Sequence, residues 1–105
     1  FIEENNISGV LLISGDRHGA RGFTIPRKSN FGFYEFEAAS LGARVGPPAN
    51  DPSWDTQLYG IDGEFAFGEF TYLPSKKDPA VVFRLVSEDG HSIFEKKIRK
   101  SELTP

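Results

Sequence analysis

The chain has 105 residues, 38% hydrophobic and 26% charged, with a net charge of -3. One globular domain is therefore the starting expectation, and nucleic acid finds no basic stripe to bind. Cysteine is absent, which excludes disulfides and thiolate metal sites. No run approaches the ~20 apolar residues of a membrane-spanning helix, and no signal peptide is visible. The first residue is Phe and there is no Met, so we expect a processed or truncated product, or one lacking its first residues.

Ten Phe, 11 Gly and seven Pro divide the chain into short segments, a pattern of strands and turns rather than long helices. Residues 1–8, FIEENNIS, lead into the continuous apolar run GVLLIS at 9–14, which reads as a strand buried on both faces. A glycine-rich loop, GDRHGARG, and a short strand, FTIP, come next, then a turn at RKSN. A strand is predicted over 31–39, FGFYEFEAA, with Tyr34, Phe36 and Ala38 on one face and Phe33, Glu35 and Glu37 on the other.

Residues 40–57 form the longest irregular stretch, and loops of that length are often functional. Within it, Trp54 is expected to cover the edge of the core. The strand QLYGI precedes Asp62-Gly63, a hairpin signal. In EFAFGEFTYL, Phe65 and Phe67 have the opposite parity to Phe70 and Tyr72, and Gly68 between them suggests a bulge. AVVFRLVS, the turn at Glu88-Asp89-Gly90 and HSIFEKKIRK read as a closing hairpin. Its basic residues, Lys96, Lys97, Arg99 and Lys100, are expected on a solvated face. The sum is six or seven strands with almost no helical periodicity, a mostly β fold of sandwich or stacked-hairpin type.

The first strand fits poorly in a chain this small. Val10, Leu11, Leu12 and Ile13 alternate between two faces, and each such side chain is worth about 1.5–3 kcal/mol when buried. Two covering layers are needed, and the remaining strands supply one. The expected complement is polypeptide preceding residue 1, which makes this chain a C-terminal piece of a larger protein, or a second copy of the chain.

Ser14-Gly15-Asp16-Arg17-His18 follows that strand, where ligand groups collect in open sheets. A carboxylate and an imidazole two residues apart are competent ligands for zinc, iron or manganese. Arg17 and Arg21 have the geometry to hold phosphate oxygens. Ordinary turn chemistry is the competing reading. One such pair does not complete a site, which takes four or more ligands. The other imidazole, His91, follows the far turn and reads as a surface residue.

The block GVLLISGDRHGARGF, with YEFEAASLGA after it, resembles the last part of the alkaline phosphatase D-like family of metallophosphoesterases. There an apolar strand leads into Ser-Gly-Asp-x-His, and a later strand carries a Tyr/Phe-Glu-Phe/Leu-x-Ser-Ser-like signature. Ala38-Ala39-Ser40 departs from the double serine, and no role passes to Ser40. The closing strands are similar as well, though generic. The resemblance implies that this mostly β fragment, with antiparallel or mixed strands, is part of a two-sheet α/β sandwich. It implies hydrolysis of phosphate esters by water activated at a dinuclear site of divalent or trivalent ions: iron, manganese, zinc or calcium. Only Asp16 and His18 map onto the motif, His18 as a ligand and Asp16 as a ligand or an orienting group. The family's earlier motifs are absent from this sequence, so the fragment alone is expected to be inactive. A periplasmic or secreted bacterial location is implied too. The alternatives are a stand-alone β-sandwich binding module, for instance for carbohydrate through Trp54 and Tyr59, and a purely structural domain.

Overall fold

The computed structural model describes residues 1–27, 30–38, 40–42, 44 and 46–105. Lys28 and Ser29 of the expected turn, Ala39 of the expected strand, and Ala43 and Val45 of the long irregular stretch lie outside the described residues.

The chain is mostly β, in two sheets. One sheet is built from β1 (Leu12–Ser14), β2 (Ala20–Pro26), β3 (Gly32–Glu37) and β4 (Gln57–Ile61), in the order β1-β3-β2-β4. The other is built from β5 (Ala66–Leu73), β6 (Ala80–Ser87) and β7 (Ser92–Arg99), in the order β5-β6-β7. A 3-10 helix at Lys100–Leu103 closes the chain. Among the described residues β1 and β3 are the parallel pair, and the other pairings are antiparallel.

Aromatic rings join the sheets. Phe36, Gly22 and Tyr59 are register partners across β3, β2 and β4. Phe36 stacks on Phe83 of the other sheet with ring centroids 4.2 Å apart, and Tyr59 lies 4.6 Å from Phe94. Phe70 completes the group, 5.1 Å from Phe83. Gly22 makes this possible, because a Cβ there would overlap the Tyr59 ring that crosses it. Phe36, Phe83, Leu85 and Ile98 are the largest wholly buried side chains, each contributing about 1.5–3 kcal/mol. The Tyr59 hydroxyl donates to the Glu37 carbonyl at 3.0 Å, and burial pushes its pKa well above the ordinary tyrosine value.

Four expectations are corrected. The apolar run at 9–14 pairs only over Leu12–Ser14, and as an edge strand it leaves Leu12 37% and Ile13 73% exposed rather than buried on both faces. Asp62-Gly63 is no hairpin, since β4 and β5 lie in different sheets and the turn carries the chain between them. No bulge occurs at Gly68, because β5 pairs with β6 in unbroken register from Ala66 to Leu73. Phe67 therefore points to the outer face, 42% exposed, and Gly68 leaves room for the Phe83 ring. The register shifts fall instead at Gly22/Phe23 and Leu85/Val86. Lastly, Lys96 shares its parity with Phe94 and Ile98 and lies over the Tyr34 ring, so the basic residues of β7 do not form one solvated face. The closing hairpin, β6 to β7, forms as expected, with Gly90 at φ +90° in its turn.

The register makes a testable contrast. Phe83→Ala is expected to lose about 3–5 kcal/mol in urea unfolding, a large share of the ~5–15 kcal/mol of a small domain. Phe67→Ala is expected to lose less than about 1 kcal/mol. Equal losses at the two positions would place Phe67 in the core and restore the bulge.

Candidate functional site

β1 ends at Ser14 and β2 begins at Ala20, so the candidate motif occupies the connection between them. The turn is made by two residues in the left-handed region, Asp16 at φ 77° and His18 at φ 60°. Asp and His enter that region more readily than most residues, yet each position still costs about 1 kcal/mol. Such conformations persist where surrounding structure imposes them, and they cluster at functional sites.

The surrounding structure here is the long loop after β3. His18 Nδ1 lies 2.9 Å from the Arg44 carbonyl oxygen. The Gly46 N–H donates to the His18 carbonyl at 2.6 Å. Asp16, Arg17, His18, Arg44, Gly46 and Pro47 together line an open cleft of about 350 Å3. Asp16 and Arg17 are exposed and His18 is half-buried. Two arginines, one histidine and one aspartate thus line one depression, residue types that suit an oxyanion and a cation.

Of the residues named from sequence, Asp16, Arg17 and His18 come together in this cleft and Arg21 does not line it. Arg21 is committed elsewhere. Its Nε donates to Glu37 Oε2 at 2.8 Å, and its guanidinium lies over the rings of Phe23 and Trp54. Glu37 is 3% exposed, so this is a buried ion pair at the sheet position next to Ser14. His91 stays in the β6–β7 turn. Its Nδ1 contacts both Asp89 Oδ1, at 2.7 Å, and Ser87 Oγ, at 2.8 Å. Because both partners share one nitrogen, the trio is not a Ser-His-Asp relay, which needs both ring nitrogens. The Ser87 hydroxyl, and then His91, hold the Asp89 carboxyl below its ordinary pKa.

The two aromatic residues considered for carbohydrate are not free platforms. Tyr59 is 7% exposed, and Trp54 is half-buried, edge-on to Phe23 at 5.7 Å. Sequence reasoning missed Arg44, Gly46 and the buried Glu37. The length of the irregular stretch pointed to the loop that carries the first two, but nothing local tied them to His18. A second depression, about 170 Å3 and apolar, opens beside β1 between the sheets, lined by Leu11, Tyr72, Val81, Ile98 and Leu103 among others.

Stability separates spare side chains from structural ones. Glu37→Ala leaves Arg21 without its partner and is expected to cost about 3 kcal/mol. Asp16→Gly relieves the left-handed backbone and is expected to be neutral or to gain up to about 1 kcal/mol. Chemical denaturation of both variants checks this, and a loss at Asp16 as large as at Glu37 would make Asp16 a structural residue. No family model, curated protein or solved structure matches this chain.

Proposed function

We propose that this chain is the C-terminal portion of a metal-dependent phosphoesterase of the alkaline phosphatase D-like kind, and that its Asp16-Arg17-His18 turn supplies part of the metal and phosphate site. The observation that carries the reading is the state of His18. One ring nitrogen is given to a backbone carbonyl, the arrangement that a metal-ligating histidine adopts almost always. Asp16 stands two residues away in the same cleft. Arg17 and Arg44 line it as well, and guanidinium matches the geometry of phosphate oxygens.

The residues fit a metal as part of a ligand set and not as a whole one. Among the described residues no group of three or more His, Cys, Asp or Glu could hold an ion, and four or more ligands are needed. Further ligands must come from other polypeptide, and β1 is where it would join. An apolar strand in a parallel pairing normally lies inside a sheet covered on both faces, whereas among the described residues β1 has a free edge, and it exposes Leu12 and Ile13. A preceding segment of the same protein, or a second copy, would extend the sheet there.

When bound, the metal supplies Lewis-acid polarisation of the phosphoryl group. The chain's own contribution is positional. His18 presents a ring nitrogen from a fixed turn, Asp16 ligates or orients, and Arg17 and Arg44 hold equatorial oxygens. Positioning and charge stabilisation carry most of phosphoryl transfer.

Turnover of a generic aryl phosphate with added Mn2+, Fe3+ or Ca2+ tests the proposal. The 105-residue chain is expected to show none above its His18→Ala control. The product of the whole reading frame is expected to be active and to lose at least ~100-fold on His18→Ala. Activity of the short chain above its control, or an inactive whole product, would contradict it. The reading frame itself is informative: an upstream strand ending in Asp-x-His or Gly-Asp supports the enzyme, and a stop codon directly before Phe1 favours a stand-alone module.

A further inference from the structure

We propose that Arg44 and Gly46 are positioning residues that lock His18 as its Nδ1–H tautomer, leaving Nε2 as the one ring nitrogen able to bind a cation. The inference rests on the phosphoesterase reading only for what Nε2 meets; the tautomer follows from geometry in this chain.

A carbonyl oxygen has no proton to give. The 2.9 Å contact between His18 Nδ1 and the Arg44 carbonyl oxygen therefore requires the proton on Nδ1, and in the neutral ring Nε2 keeps the lone pair. Nε2 makes no hydrogen bond among the described residues, so nothing there competes for it. The main chain of His18 is held from the same loop, because its carbonyl accepts the Gly46 N–H at 2.6 Å. Ring and backbone of one residue are thus fixed by two residues of another segment.

Position 46 must lack a side chain for this to happen. A Cβ there would overlap the Arg17 carbonyl oxygen and would meet His18 Cβ at 2.9 Å and His18 C at 3.0 Å. These are backbone or near-backbone atoms that cannot swing aside. The turn they belong to is in the left-handed region at both Asp16 and His18, and the loop lies directly against it. The glycine is therefore a condition for the close approach that brings the Arg44 carbonyl to the imidazole. A histidine whose tautomer is set in advance presents its ligand atom without reorganisation, and loss of such an outer partner typically lowers metal affinity 10–100-fold (about that range).

The test is a two-bond 1H–15N correlation spectrum of the metal-free chain at about pH 8, above the usual imidazole pKa. His18 is expected to show a protonated Nδ1 and an unprotonated Nε2. An Nε2–H form, or an averaged mixture of the two, would overturn the proposal. In a folded Gly46→Ala variant the ring is expected to revert toward the Nε2–H form that an unconstrained histidine favours, while Gly42→Ala, whose new Cβ meets nothing within 4 Å, is expected to keep the wild-type pattern. Retention of the Nδ1–H form in folded Gly46→Ala would overturn the role of Gly46, and if that variant fails to fold, the wild-type spectrum still decides the tautomer. A Zn2+ titration of the same samples is expected to show affinity at His18 falling about 10–100-fold in Gly46→Ala. Absence of zinc at His18 in the wild-type chain would count against the metal reading and leave the tautomer assignment standing.

Discussion

The parallel pairing of β1 with β3 is the constraint on which the candidate site depends. It sets Leu12 opposite Glu35, Ile13 opposite Phe36 and Ser14 opposite Glu37. β3 is the better anchored of the two, because Phe36 is clasped by Phe83 and Phe70 of the facing sheet. Glu37 is held three ways: by the Arg21 side chain, by the Tyr59 hydroxyl on its carbonyl, and by its place in the ladder. The turn after Ser14 therefore leaves from a strand end whose neighbour cannot move without disturbing the aromatic junction. On its other side the turn meets the Arg44 carbonyl and the Gly46 N–H. Order at Asp16 and His18 is imported from both sides rather than generated by the turn itself.

β1 combines two properties that conflict in a self-sufficient protein. It is apolar enough to lie inside a sheet, and it lies at an edge with Ile13 73% exposed. Proteins usually blunt such edges with charge, Pro or a bulge, and none of these stands at Leu12–Ser14. The open apolar depression beside Leu11, bordered by the exposed ring of Tyr72, adds to the same side of the molecule. The proposed ligand residues thus follow directly on a short strand that is the outer member of its sheet. On the proposed phosphoesterase reading, additional polypeptide paired along β1 would cover the exposed edge and bring further ligands to the turn.

Much of the fold was legible because alternation fixes faces. Tyr34, Phe36 and Ala38 were separable from Glu35 and Glu37 by parity alone, and all three pack in or against the core. The β6–β7 hairpin was signalled by its apolar runs and by Gly90. What was not legible is whatever depends on sheet membership. Asp62-Gly63 has the local chemistry of a hairpin whether the next strand turns back or crosses to another sheet, and only the packing of Phe70 against Phe36 and Phe83 decides it. Gly68 misled for a related reason: a glycine vacated for a facing Phe83 ring and a glycine at a bulge look alike in sequence. At the site, Asp16 and His18 were visible as a motif. Arg44 and Gly46, 26 residues from His18 in the case of Arg44, were not, because loop-to-loop contacts leave no periodic signal. Arg21 was assigned to phosphate from the geometry of its guanidinium, while its partner Glu37 became apparent only through the antiparallel register of β2 and β3.

A paramagnetic titration addresses the proposed metal site most directly. Mn2+ added in small amounts to the 105-residue chain broadens the NMR signals of nuclei near wherever it settles. The account predicts broadening centred on Asp16, Arg17 and His18 and reaching Arg44 and Gly46, with Asp89 and His91 unaffected at the same concentration. Broadening centred on the β6–β7 turn, or spread evenly over exposed carboxylates, would contradict it.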